Sequence, residues 1–232
     1  MSAMYVARAE RTRGQCRLCA KSFTRGGMAR HVLACQAKMA GGAGTGGLLV
    51  AIRDRPVGSY WLVAQVAADA TWYDLDELLR DIWVECCGHM SCFVVDGRTF
   101  TDEGEDADWA DDPASMAEVI SETVGVGSRL RYEYDFGTTT ELEGQVLATA
   151  QRGALGAVEV LARNEPLSWP CAECGRPATE VCAMCHQVFG ARCWYCEACR
   201  YLHRCSDSGD YFLPVVNSPR VGLCGYTGPA EG

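Results

Sequence analysis

Apolar residues along this chain follow two spacings, and the switches between them outline a mixed domain over residues 48–168. LLVAIRD (48–54) and YWLVAQVA (60–67) are nearly continuous runs rich in β-branched and aromatic residues, which predicts strands. The spacing then changes. In TWYDLDELLRDIWVECC, Leu75, Leu78, Leu79, Ile82 and Trp83 fall at i, i+3, i+4, i+7 and i+8, the pattern of an amphipathic helix. Thr71 and Asp74 have the spacing of a capping box at its start. HMSCFVVDGRTF predicts a hairpin turning at Asp96-Gly97. Residues 102–112 are an acidic loop, without EF-hand spacing, and a short helix is expected from Pro113. SRLRYEYDF, TELEGQVLATA and AVEVLARN read as closing strands, giving an α+β domain.

Outside this domain the periodicity fades and cysteine spacing takes over. GGAGTGG (41–47) has linker composition, with no Gly-Lys-Ser/Thr to make it a phosphate cradle. It separates the domain from residues 1–40, where Cys16-x2-Cys19 precedes His31-x3-Cys35. Two cysteines on a knuckle, with a His and a Cys one helical turn apart, suit a tetrahedral Cys3His zinc site. Phe23 and Met28 stand where a small finger keeps its apolar core, and the segment resembles a C2HC zinc finger. The bland alternative is a basic arm with unpaired thiols.

Residues 169–232 are richer still. CAECGRPATEVCAMCHQVFGARCWYCEACRYLHRC offers eight cysteines and two histidines where two tetrahedral zinc ions need eight ligands. The three Cys-x2-Cys knuckles and His203-x-Cys205 resemble MYND-type and other cross-braced zinc domains. That resemblance implies one site of Cys171, Cys174, Cys196 and Cys199, and another of Cys182, Cys185, His203 and Cys205. His186 and Cys193 are then spare. A second register pairs Cys193 with Cys196 and leaves Cys199 spare or acting with Cys205. The following YFLPVVNSPRVGLCGYTG reads as strand, turn and strand. Cys86, Cys87, His89 and Cys92 mix a helix end with alternating strand faces, so they are expected to be buried thiols instead of a metal site.

His89 with Phe93, and Tyr132, Tyr134, Asp135, Phe136 and Gly137 in YEYDFG, resemble a family named after an open reading frame of an Ri-type plasmid. These proteins are also known as insertion-element TnpR-like passengers. Ser91 stands where that family has a second histidine, and Thr138, Thr140 and Leu142 where it has Asp, Trp and His. The resemblance covers about residues 48–160 and implies a compact α+β fold in mobile-element company, with no activity attached. Read without it, Asp135 and Gly137 make a strand-ending turn.

The net charge of −9 conceals a bipolar chain. Residues 1–40 carry +7 and residues 41–169 carry −15. The basic finger therefore suits either nucleic-acid phosphate or the acidic domain of its own or another chain. No apolar run approaches the ~20 residues of a membrane span, and the basic N-terminus has no apolar signal core. A cytoplasmic location, without a membrane partner, is expected, and in a reducing compartment paired cysteines favour metal over disulfides. No Ser/His/Asp or Cys/His grouping assembles a nucleophile. The sequence thus leads to a non-enzymatic protein with three structural zinc ions that binds a protein partner. The rival expectation is a nucleic-acid-binding regulator working through residues 1–40.

Overall fold

The structure is a computed structural model and describes residues 12–39, 47–189, 193–205 and 211–229. Residues 1–11 and most of the glycine-rich linker lie outside the described residues.

Ten strands form one sheet: β1 (Arg13–Cys16), β2 (Ser22–Thr24), β3 (Leu48–Asp54), β4 (Trp61–Val66), β5 (Ser91–Val95), β6 (Arg98–Thr101), β7 (Pro113–Ser115), β8 (Arg129–Tyr134), β9 (Thr140–Thr149) and β10 (Val158–Asn164). Their order is β2-β1-β10-β4-β3-β9-β8-β5-β6-β7, antiparallel throughout except β6 with β7. Both faces of its centre are covered, which is why LLVAIRD and YWLVAQVA are apolar almost without alternation. Leu48, Val50, Ile52, Leu62 and Ala64 enter the main core, whereas Leu49, Trp61 and Val63 enter a second core on the other face.

Helix α1 (Arg25–Met39) covers that second face and helix α2 (Trp72–Leu79) the first. The capping box at Thr71 and Asp74 is present. After Leu79 the helix widens into one π-helical turn, Arg80–Val84, and ends where Glu85 becomes extended. Trp72, Leu75, Leu79 and Trp83 have no exposed surface.

Two local expectations fail. Pro113–Ser115 is a strand closing the edge of β6, and only Ile120–Thr123 (α3) is helical. Pairing with an otherwise open edge overrides a weak helical preference there. Residues 217–226 are successive turns, not a second strand. Gly222, Cys224 and Gly225 all have positive φ, which interrupts an extended run.

The N-terminal finger is not tethered away from the domain. Its hairpin extends the sheet, with Gly14, Gln15 and Cys16 registered against Asn164, Arg163 and Ala162 of β10. Gly14 permits this approach, since a Cβ there would lie 2.1 Å from the Arg163 carbonyl oxygen. The Trp61 indole donates to Thr12 Oγ1 at 2.7 Å, and buried Gln36 of α1 bonds Gln65 of β4. In the tail, β11 (Glu180–Cys182), helix α4 (Ala183–Phe189), β12 (Trp194–Tyr195) and β13 (Phe212–Pro214) form a small module. Its Val181, Trp194 and Leu213 join the main core. No helix among the described residues is long and apolar enough to cross a membrane.

Candidate metal centres

The finger brings its four predicted ligands together. Cys16 ends β1 and Cys19 lies on the turn to β2, where Ala20 is left-handed and its amide donates to the Cys16 carbonyl at 2.7 Å. Helix α1 presents His31 and Cys35 one turn apart. His31 Nε2 is 3.2 Å from Cys19 Sγ, and its ring stacks on Phe23 at 4.3 Å. The helix turns Met28, Val32 and Cys35 inward. All four ligand atoms lie within 4.8 Å of one another.

The tail gathers two further groups in the first of the two registers. Cys171, Cys174, Cys196 and Cys199 converge, as do Cys182, Cys185, His203 and Cys205. The Cys171–Cys174 and Cys196–Cys199 knuckles are tight backbone turns, whereas Cys182 ends β11 and Cys185 lies in the first turn of α4. The Gly175 amide donates to the Cys171 carbonyl at 3.0 Å, and the Cys199 amide to that of Cys196 at 2.9 Å. Cys174 and Cys196 sulfurs are 3.7 Å apart. Arg176 donates to Cys174 Sγ at 3.4 Å and thereby lowers that thiol to about 6, toward the thiolate a metal requires. In the second group, Cys185 Sγ is 3.5 Å from His203 Nε2 and 3.7 Å from Cys205 Sγ. His203 Nδ1 meets the Tyr195 hydroxyl at 3.0 Å, which orients the ring and leaves Nε2 for an ion. His186 and Cys193 stand outside both groups, with His186 Nδ1 4.0 Å from Cys193 Sγ.

The structure overturns one expectation. Cys86, Cys87 and His89 do converge, and their companion is Cys224 from the far end of the chain. Only Cys92 is a buried strand thiol, held in β5 outside the group. Gly88, at φ +69°, turns the backbone between Cys87 and His89. No local spacing reveals the fourth member. The available signal was three soft ligands within four positions and one isolated cysteine among glycines.

YEYDFG sits beside this cluster. Tyr134 is buried, and its hydroxyl accepts from the Cys86 and His89 amides at 3.3 Å each and donates to Glu85 Oε1 at 3.1 Å. Asp135 makes the expected turn, accepting from the Gly137 and Thr138 amides, and also receives Arg220 from the tail. Tyr132, Ser91 and Arg80 all donate to Asp76.

Together these features define an α+β protein whose described residues carry four cysteine and histidine groups that could each hold a metal ion. The thiol and imidazole donor sets suit a soft or borderline ion. No family model matches the chain, and no curated protein matches it. Among solved structures, a Methanosarcina mazei Go1 protein of unknown function is similar at 15% identity and a TM-score of 0.35, over 54% of this chain. The chain spans 66% of that protein's length.

Proposed function

We propose that the chain is a zinc-stabilised binding protein that joins a partner protein through its C-terminal module and performs no catalysis. The convergence of four protein ligands in each group carries this reading, because a filled tetrahedron leaves no position for substrate or water. Zinc there would be structural, replacing apolar core that short segments cannot build. A cavity of about 390 Å³ is lined by Asp76, Arg80, His89, Asp102 and Glu103 among others. Asp76 already accepts from three side chains and is a poor general base.

Met184, Val188, Tyr201, Leu202 and Tyr211 are large apolar residues of the tail that are 45–69% exposed. A protein contact would cover these side chains, which the tail otherwise leaves in solvent. Nucleic acid is the weaker reading for the finger, because Arg25 donates to the Gly58 carbonyl at 2.7 Å and Arg13 to that of Ser22 at 2.8 Å. The test is co-purification of zinc-loaded full-length protein beside a Val188→Asp, Tyr201→Asp variant. A stable protein partner lost by the variant at unchanged zinc content supports the reading. Co-purifying nucleic acid, lost when residues 1–40 are removed, contradicts it.

A further inference from the structure

We propose that Cys86, Cys87, His89 and Cys224 form a fourth zinc site, one that clamps the C-terminal segment onto the central domain. The proposal shares the thiol and zinc chemistry of the function above but depends on none of the other three groups.

The four ligand atoms lie within 4.8 Å of one another, and His89 Nε2 is 3.2 Å from Cys224 Sγ. Ligand atoms on a zinc tetrahedron stand about 3.3–3.8 Å apart, so closing this group onto an ion needs only small side-chain movements. The donor set is three sulfurs and one imidazole nitrogen, the same as in the finger. It favours zinc over a hard cation.

The surroundings hold the ligands from outside. Tyr134 fixes both ends of the loop through the amides of Cys86 and His89. Glu85 Oε1 accepts from the Gly88 amide, and Arg80 holds the other carboxylate oxygen of Glu85 at 2.7 Å. On the tail side, Ser218 donates to the Trp83 carbonyl that the π-helical turn leaves available, and receives the Arg220 amide at 2.8 Å. Arg220 then reaches Cys86 Sγ with Nε at 3.3 Å. Binding displaces the thiol protons to solvent, and three thiolates with Zn²⁺ carry a net charge of −1. The buried guanidinium lies where that charge would be. Asp135 Oδ2 is 3.7 Å from His89 Nε2 and is committed to Arg220, so it belongs to the outer shell and not to the ligands.

The consequence is topological. Three ligands lie on the connection from α2 to β5, and the fourth lies 135 positions later than His89. An ion here would add a coordinate link between two segments already joined by side-chain packing, the Ser218–Trp83 hydrogen bond and the Arg220–Asp135 ion pair. Cys87 is exposed and none of the four ligands is fully buried, so this site should lose its ion before the other three.

The experiment counts zinc by native mass spectrometry on full-length protein kept reduced, for the wild type, Cys224→Ser and Cys87→Ser. Each variant should carry one ion fewer than the wild type. Amides of residues 215–229 should exchange about tenfold faster in Cys224→Ser. Unchanged counts in both variants, or a disulfide among Cys86, Cys87 and Cys224 in the reduced protein, would overturn the proposal. If Cys224→Ser does not fold, Cys87→Ser decides alone. A wild type without zinc would overturn the function above as well, whereas three ions insensitive to both substitutions would overturn this site only.

Discussion

Arg220 donates to the carboxylate of Asp135 across 85 positions of sequence, with its own side chain wholly inaccessible to solvent. It also bonds the Thr138 carbonyl and Thr140 Oγ1 at 3.1 Å each, and its guanidinium lies 4.9 Å from the centre of the Tyr134 ring. One tail residue thereby satisfies the turn that ends β8. Replacing it with methionine leaves Asp135 buried without its cation. We expect Arg220→Met to cost about 3 kcal/mol, measured by urea unfolding. Arg220→Lys should recover only part of this, because an ammonium cannot reach four partners in a planar fork.

The same pair fixes a pH response. Burial alone would raise the Asp135 carboxyl, but Arg220 and the Thr138 and Gly137 amides outweigh it and hold the group below its ordinary value. A carboxyl depressed in the folded state contributes stability above the ordinary carboxylate range, and that stability is lost as pH falls through the folded value. In Arg220→Met the Asp135 carboxyl should titrate at higher pH than in the wild type. Carboxyl chemical shifts followed by NMR would show it, and an unmoved titration would contradict the pairing.

Thr71→Ala tests the start of α2. The Thr71 side chain accepts from the Asp74 amide while Asp74 Oδ2 accepts from the Thr71 amide at 2.7 Å. Loss of the cap should cost about 1 kcal/mol in the same unfolding assay.

The tail register gives a prediction with two arms. Cys193→Ser should retain every zinc ion, because Cys193 lies outside both ligand groups, and Cys196→Ser should lose one. The reverse result in native mass spectrometry would assign Cys193 in place of Cys196.

Much of this arrangement was legible in local spacing. Continuous β-branched and aromatic runs located β3 and β4, 3.6-residue periodicity located α2, and the Asp96-Gly97 turn located the β5–β6 hairpin, because burial on both faces of a strand, or on one face of a helix, leaves those patterns. Knuckle spacing located the three ligand groups whose members lie within a few dozen residues of one another. Long-range relationships left no such trace. That β1 would pair with β10 depends on Gly14 approaching the Arg163 carbonyl. That Cys224 would meet His89 depends on turns made by Gly222 and Gly225. Likewise, Pro113–Ser115 became a strand because β6 offered an edge.

Zinc held by closed, sulfur-rich ligand sets is the central claim, and X-ray absorption at the zinc edge of the folded, reduced protein tests it most directly. The four groups together offer thirteen sulfurs and three imidazole nitrogens. The expected spectrum is four-coordinate and dominated by sulfur at about 2.3 Å, with a minor nitrogen shell near 2.0 Å. A shell rich in oxygen, or a folded protein containing no zinc, would contradict the account.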